Sequence, residues 1–206
     1  MNVQDTPHEA IEATLRRAAG ALLDAQIPFM LAGSMGCWVQ GGPRSQNDLD
    51  LMLAREDAER ALAVLEGAGM RTERPPERWL LKAFDGEVMI DLIFDSLGLG
   101  EITREKVEAA ERLSVLAIEM PVMSLEDILV GKLLAIDEQR LDYGPLLEIS
   151  RAIRERVEWH EVRRRTAASP YARTFFALLT ELGILTRDRA RELTRRGRDG
   201  VARPAA

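Results

Sequence analysis

Asp48 and Asp50 interrupt an apolar run, "NDLDLMLA", at alternate positions, and a third aspartate, Asp91, sits within "VMIDLIF". In an extended chain successive side chains point to opposite faces, so Leu49, Leu51 and Leu53 share one face and Asp48, Asp50 and Met52 the other. The leucine face favours burial, and the aspartate face is either wet or holds something positive. A lone carboxylate between apolar residues in a strand is costly unless it is paired or binds a metal. Each aspartate alone reads as a solvated strand-end residue. If the Asp91 strand lies beside the Asp48–Asp50 strand, all three converge. The expectation is a site for one or two Mg²⁺ ions, which take carboxylates, water and substrate phosphates as ligands. Two such ions suit phosphoryl or nucleotidyl transfer, activating one oxygen while stabilising the departure of another.

Phosphate-binding candidates lie just upstream. Gly33 and Ser34 close the apolar stretch "IPFMLAG" and open a short helical segment. Glycine allows close approach of an anion, and free N–H groups at a helix start attract one. Ser34 adds a hydroxyl, and Arg44, four residues before Asp48, can pair with a triphosphate. A strand–turn–helix with an N-cap serine explains Gly33 and Ser34 equally well without a ligand. Neither common nucleotide fingerprint fits, because "GSMG" is not G-x-G-x-x-G and "LVGKLL" is not a P-loop.

The elements around these residues follow from periodicity. A helix is expected over 8–25, a strand over 27–33, the DLDLML strand, and a helix from about 55 to 68. "WLLKAF" and "EVMIDLIF" flank Asp85-Gly86, a two-residue hairpin signal. "LSVLAIEMPVM" reads as one further strand or an irregular edge. Beyond Ser124 the pattern is helical, opening on the capping sequence "SLED" with Ser124 as N-cap. The expected fold class is therefore α/β. A small mixed-sheet catalytic domain over 1–123 carries helices on one side, and a helical C-terminal region follows over 124–206.

On the helix after Ser124, taken at 100° per residue, Lys132 falls inside the apolar stripe of Ile128, Leu129, Leu133 and Ile136. A lysine there either snorkels or meets an anion such as a triphosphate.

Bulk composition excludes several classes. With His8, His160 and Cys37 as the chain's only histidines and cysteine, a structural zinc site is not expected, and an internal disulfide is impossible. No N-terminal secretory pattern and no apolar run near bilayer length is present, so a cytoplasmic protein without membrane contact is expected. Residues 1–150 hold 14 Lys+Arg against 27 Asp+Glu, a net of −13. Residues 151–206 hold 14 Arg against 7 Asp+Glu, a net of +7. That basic segment is either an RNA-binding surface or a solvated helical face.

The stretch "AGSMGCWVQGGPRSQNDLDLML" with its later strand aspartate resembles the signature of the DNA polymerase β-like nucleotidyltransferase superfamily. "GGPRSQNDLDL" followed by "KLLAIDEQRLDYGPLL" is more narrowly similar to AbiEii-type and MenT-type toxins, over roughly residues 10–155. The resemblance implies metal-dependent transfer of a nucleoside monophosphate from an NTP, with release of pyrophosphate. Asp48 and Asp50 would hold the ions. Asp91 would help bind the catalytic one and could deprotonate the acceptor hydroxyl. It adds Lys132 and Asp142 as functional positions, although Asp142 before "YGP" is also a good helix cap. It points to RNA, particularly a tRNA end, as acceptor, within a toxin–antitoxin system that would supply an antitoxin partner. Two alternatives remain open: transfer to a small hydroxylated molecule, as antibiotic-modifying enzymes do, or a non-catalytic nucleotide-binding or antitoxin-like module.

Overall fold

The computed structural model describes residues 8–44 and 48–185. Two compact units divide between Ser124 and Leu125. The first contains α1 (His8–Asp24), β1 (Met30–Leu31), α2 (Gly33–Val39), β2 (Leu49–Met52), α3 (Arg55–Gly67) and β3 (Arg71–Glu73). It continues through β4 (Leu80–Asp85), β5 (Val88–Ile93), β6 (Asp95–Ser96), β7 (Gly100–Glu101), α4 (Arg104–Ala109), β8 (Glu111–Val115) and β9 (Ile118–Val122). Seven strands form one mixed sheet in the order β3-β4-β5-β2-β1-β9-β8, and β6 and β7 form a separate ribbon. The pairs β2–β5 and β1–β9 are parallel, and the rest are antiparallel. The class is α/β with a mixed sheet, as the sequence pattern predicts.

One hydrophobic cluster holds the unit together. Ile11, Leu15 and Leu22 of α1 and Ala61, Leu62 and Leu65 of α3 join Leu49, Leu51, Leu53, Ile90 and Leu92 from the sheet. Burying each leucine or isoleucine contributes about 1.5–3 kcal/mol, which fixes the inward face of β2 and β5. Alternation then assigns Asp50 and Asp91 to the other face. The buried Asp57, in the first turn of α3, is 1% exposed. It accepts two hydrogen bonds from the Arg104 guanidinium, at 2.7 and 2.6 Å, and so ties α3 to α4.

Two hairpins differ from the sequence reading. The β4–β5 loop is Gly86-Glu87, one residue later than expected, because Asp85 still pairs with Val88. Gly86 has φ +61, as a glycine-first two-residue turn requires. The second difference is larger. The stretch read as one strand or an edge is a hairpin, β8 and β9, joined by Leu116 and Ala117 at φ 53 and 68. Paired left-handed residues normally call for Asn or Gly, so this turn left no signal in the sequence. β9 is interior, between β1 and β8, and β8 is the edge.

The second unit comprises α5 (Leu125–Leu134), α6 (Gly144–Ile153), α7 (Trp159–Arg165) and α8 (Pro170–Glu181). α5 starts directly after Ser124. α8 starts at Pro170, behind Ser169, whose hydroxyl accepts from Ala172 N at 3.2 Å. Buried Trp159 meets Phe176 edge-on, and the Tyr143 hydroxyl donates to the Tyr171 carbonyl at 2.8 Å. Arg165 of α7 donates to Asp127 of α5 at 2.6 Å. Among the described residues no helix is long and apolar enough to cross a membrane.

Candidate active site

β1 and β2 set the floor of the site. Ala32 N donates to the Asp50 carbonyl at 2.9 Å, just before the chain turns into α2. Gly33 makes that turn at φ +57, a conformation other residues adopt only under strain. A Cβ on Gly33 would lie 1.7 Å from Asp50 Oδ2, so the carboxylate occupies the space that a side chain would fill. Gly33 is thus required twice, for its backbone angle and for contact with Asp50. Ser34 follows as the second residue of α2 and is partly buried. Gly42, after α2, packs tightly on Cys37: a Cβ there would lie 2.4 Å from Sγ.

The three aspartates come from neighbouring positions. β2 and β5 run parallel with Asp50 directly opposite Asp91. Asp48 lies two residues before Asp50, and all three are partly buried. The Asp48 carboxyl is pushed above the usual carboxylate range, first by burial and then by the charge of Asp91, against an opposing pull from Lys82. Asp48 and Asp91 therefore feel each other across the face of the sheet.

Lys82 is the residue that the sequence reading missed. Its ammonium donates to Asp91 Oδ1 at 2.7 Å and lies 3.2 Å from Met89 Sδ. The signal was present but depended on the turn. With Asp85 and Gly86 as loop residues, Asp91 would face Leu80; with Gly86 and Glu87, it faces Lys82. A one-residue slip exchanges every cross-strand partner.

The donors fit a hard cation by chemistry, since all are carboxylate oxygens and Gly33 leaves room for one of them. Among the described residues, however, no three His, Cys, Asp or Glu side chains are gathered closely enough to hold a metal by protein atoms alone. Mg²⁺ does not need such a cage, because it is commonly held by one or two carboxylates, with waters and substrate phosphates completing the shell.

The remaining candidates are carried by other elements. Arg44 is exposed, in the loop after Gly42. Lys132 belongs to the second unit, half-buried on α5 beside buried Ile128, Leu129 and Leu133. Asp142 accepts from Gly144 N at 2.8 Å at the start of α6, a structural task of the kind its sequence context suggested. In the basic segment Arg164 pairs with Glu161 at 2.6 Å, Arg165 with Asp127, and Arg163 lies 5.7 Å over the Phe176 ring. Seven of that segment's 14 arginines lie beyond residue 185, outside the described residues.

The family described as "Nucleotidyl transferase of unknown function" (DUF2204) matches residues 12–174. No curated protein matches the chain. Among solved structures, the fold is similar to that of ANT(2")-Ia in complex with adenylyl-2"-tobramycin. The TM-score is 0.56 at 15% identity, covering 79% of this chain and 97% of that one. The solution structure of ANT(2'')-Ia gives a TM-score of 0.59 at 16% identity, covering 84% and 96%. An antigenic nucleotidyltransferase-like protein from Paracoccidioides brasiliensis gives 0.51 at 14%, covering 91% of each chain. These likenesses concern the fold.

Proposed function

The chain belongs to this nucleotidyl transferase family, and on that premise we propose that it moves a nucleoside monophosphate from an NTP to a hydroxyl of a small, positively charged acceptor. The observation that carries the reading is the register of Asp50 against Asp91, with Asp48 two residues away. Bound Mg²⁺ would supply charge neutralisation at the phosphates and lower the barrier to oxygen attack. Asp48 and Asp50 would hold the ion, and Gly33 lets Asp50 take up its place. Asp91 orients the acceptor hydroxyl and receives its proton. The acceptor oxygen forms a bond to the α-phosphorus, the bond from that phosphorus to the bridging oxygen breaks, and pyrophosphate leaves with the electron pair.

The acceptor class rests on charge. Residues 1–150 carry a net −13, which attracts a cationic hydroxyl compound and repels a polyanion. The tobramycin adduct named for ANT(2")-Ia is consistent with such an acceptor. A second reading, transfer to RNA in a toxin–antitoxin setting, is favoured by the net +7 of residues 151–206. The internal pairing of Arg164 and Arg165 weakens it.

The test incubates the protein with Mg²⁺ and each NTP, labelled at the α-phosphate. Acceptors are tobramycin, other amino sugars, or total RNA. Label on an amino sugar, lost on addition of a chelator, is the expected result. Label in RNA alone overturns the small-acceptor assignment in favour of the second reading. Label nowhere, with every NTP, overturns both.

A further inference from the structure

Lys82 donates to one aspartate of the acidic face, and its position is set by the sheet rather than by a flexible loop. On β4 it alternates with Leu81 and Ala83, which belong to the hydrophobic cluster, so its own side chain is directed to the face that carries Asp91. Register puts it directly opposite Asp91, and the 2.7 Å contact engages one carboxylate oxygen, Oδ1. Lys82 and Asp91 side chains are 21% and 16% exposed, so the pair is only partly screened by water. The charge on Lys82 also reaches Asp48. A simple cross-strand ion pair would account for a modest gain in sheet stability and nothing more. This pair differs because its acidic member is one of the three aspartates of the site.

We propose that Lys82 is a positioning residue of the transfer reaction, holding Asp91 by Oδ1 and lending the three-aspartate face a permanent positive charge that sets its affinity for divalent cations. The inference rests on the metal-dependent reading given above. Two consequences follow, of opposite sign. Without the ammonium, one positive charge is taken from beside the carboxylates, and a divalent ion binds more tightly. Without the hydrogen bond, Asp91 samples other rotamers, and the acceptor hydroxyl loses its oriented partner. Better metal binding together with poorer turnover is a pattern that a merely structural role for Lys82 does not produce.

The experiment compares the full-length parent with Lys82→Met and Lys82→Arg. Thermal unfolding is followed against Mg²⁺ or Mn²⁺ concentration without nucleotide, and kcat and KM for NTP are measured separately. For Lys82→Met we expect the divalent midpoint to fall roughly three- to tenfold and kcat to fall roughly 10- to 100-fold. Lys82→Arg, which keeps the charge and a donor, should restore the parental divalent midpoint and most of kcat. The proposal is overturned if Lys82→Met matches the parent in both readouts, or if it only lowers the unfolding temperature. If Lys82→Met does not fold, Lys82→Arg decides the matter: a divalent midpoint displaced from the parent's overturns the role of fixed charge, and an unchanged one supports it. A parent that shows neither a divalent-dependent shift nor nucleotide transfer sinks the metal-dependent reading itself, and this inference with it. A responsive parent with an indistinguishable Lys82→Met sinks only the inference.

Discussion

Asp50 and Gly33 share one space: Oδ2 of the aspartate lies 1.7 Å from where a Cβ on the glycine would be built. A carboxylate in the middle of a strand is thereby seated against the first residue of the next helix. Sheet register, helix start and acidic group are coupled through one missing methyl group.

Gly33→Ala tests that coupling. The left-handed angle at Gly33 costs an alanine about 1–2 kcal/mol, and the new methyl must also displace the Asp50 carboxylate. The expected outcome is a folded protein with a lower unfolding temperature and at least ~100-fold lower transfer, since misplacing a reacting group by about 1 Å has that effect. Parental turnover in this variant would show that Asp50 is free to work from another position.

Asp48→Asn should make the metal-free protein more stable at neutral pH while removing transfer. The folded-state pKa of Asp48 is raised, by burial and then by Asp91. A raised carboxyl favours the fold below the ordinary carboxylate range, and that contribution is lost as pH rises through the folded-state value. At neutral pH the ionised group therefore opposes folding, and Asn relieves it. Unfolding curves from pH 7 down to pH 3 should show a stabilising difference that shrinks on the acid side. A destabilised Asp48→Asn at pH 7 would contradict the electrostatic picture.

Asp57 behaves in the opposite sense. Its hydrogen bonds from Arg104, more than the coulombic attraction of that guanidinium, hold its carboxyl below the usual range despite burial. Its contribution is complete above the ordinary carboxylate pKa of about 4 and is lost as pH falls through the lower folded-state value. Asp57→Asn should lower the unfolding midpoint by about 2–6 °C at pH 7, and the gap between parent and variant should close in strong acid. A gap that does not change with pH would mean that packing, not charge, is what Asn disturbs.

Replacing Arg163, Arg164 and Arg165 by Gln separates the two acceptor classes. Arg165 ties α7 to α5 through Asp127, so the triple variant should unfold about 2–5 °C earlier. Transfer to a small acceptor should stay within about twofold of the parent, because Arg164 and Arg165 already pair with Glu161 and Asp127 within the helical unit. If RNA is the acceptor, binding should weaken and its salt dependence flatten by roughly one unit per lost phosphate contact.

The alternation of Leu49, Asp48, Leu51 and Asp50 sufficed to predict a strand with one buried and one acidic face, because side-chain direction in a strand is a local property. Helical periodicity likewise located α1 and α3 to within a residue or two, the capping sequence marked the start of α5, and the helical stripe took in Lys132, which the structure leaves half-buried. Cross-strand partners were another matter. Whether Asp91 faces Leu80 or Lys82 turned on which two residues form the β4–β5 loop, and one position of uncertainty there reverses the answer. The β8–β9 turn was invisible because Leu116 and Ala117 adopt left-handed angles that their side chains disfavour, held by the strands on either side. The seating of Asp50 on Gly33 and the tie from Asp57 to Arg104 join residues 17 and 47 positions apart in the chain. No local pattern encodes such pairs. They form only when the hydrophobic face of the sheet is buried against α1 and α3 and the polar groups take the partners left within reach.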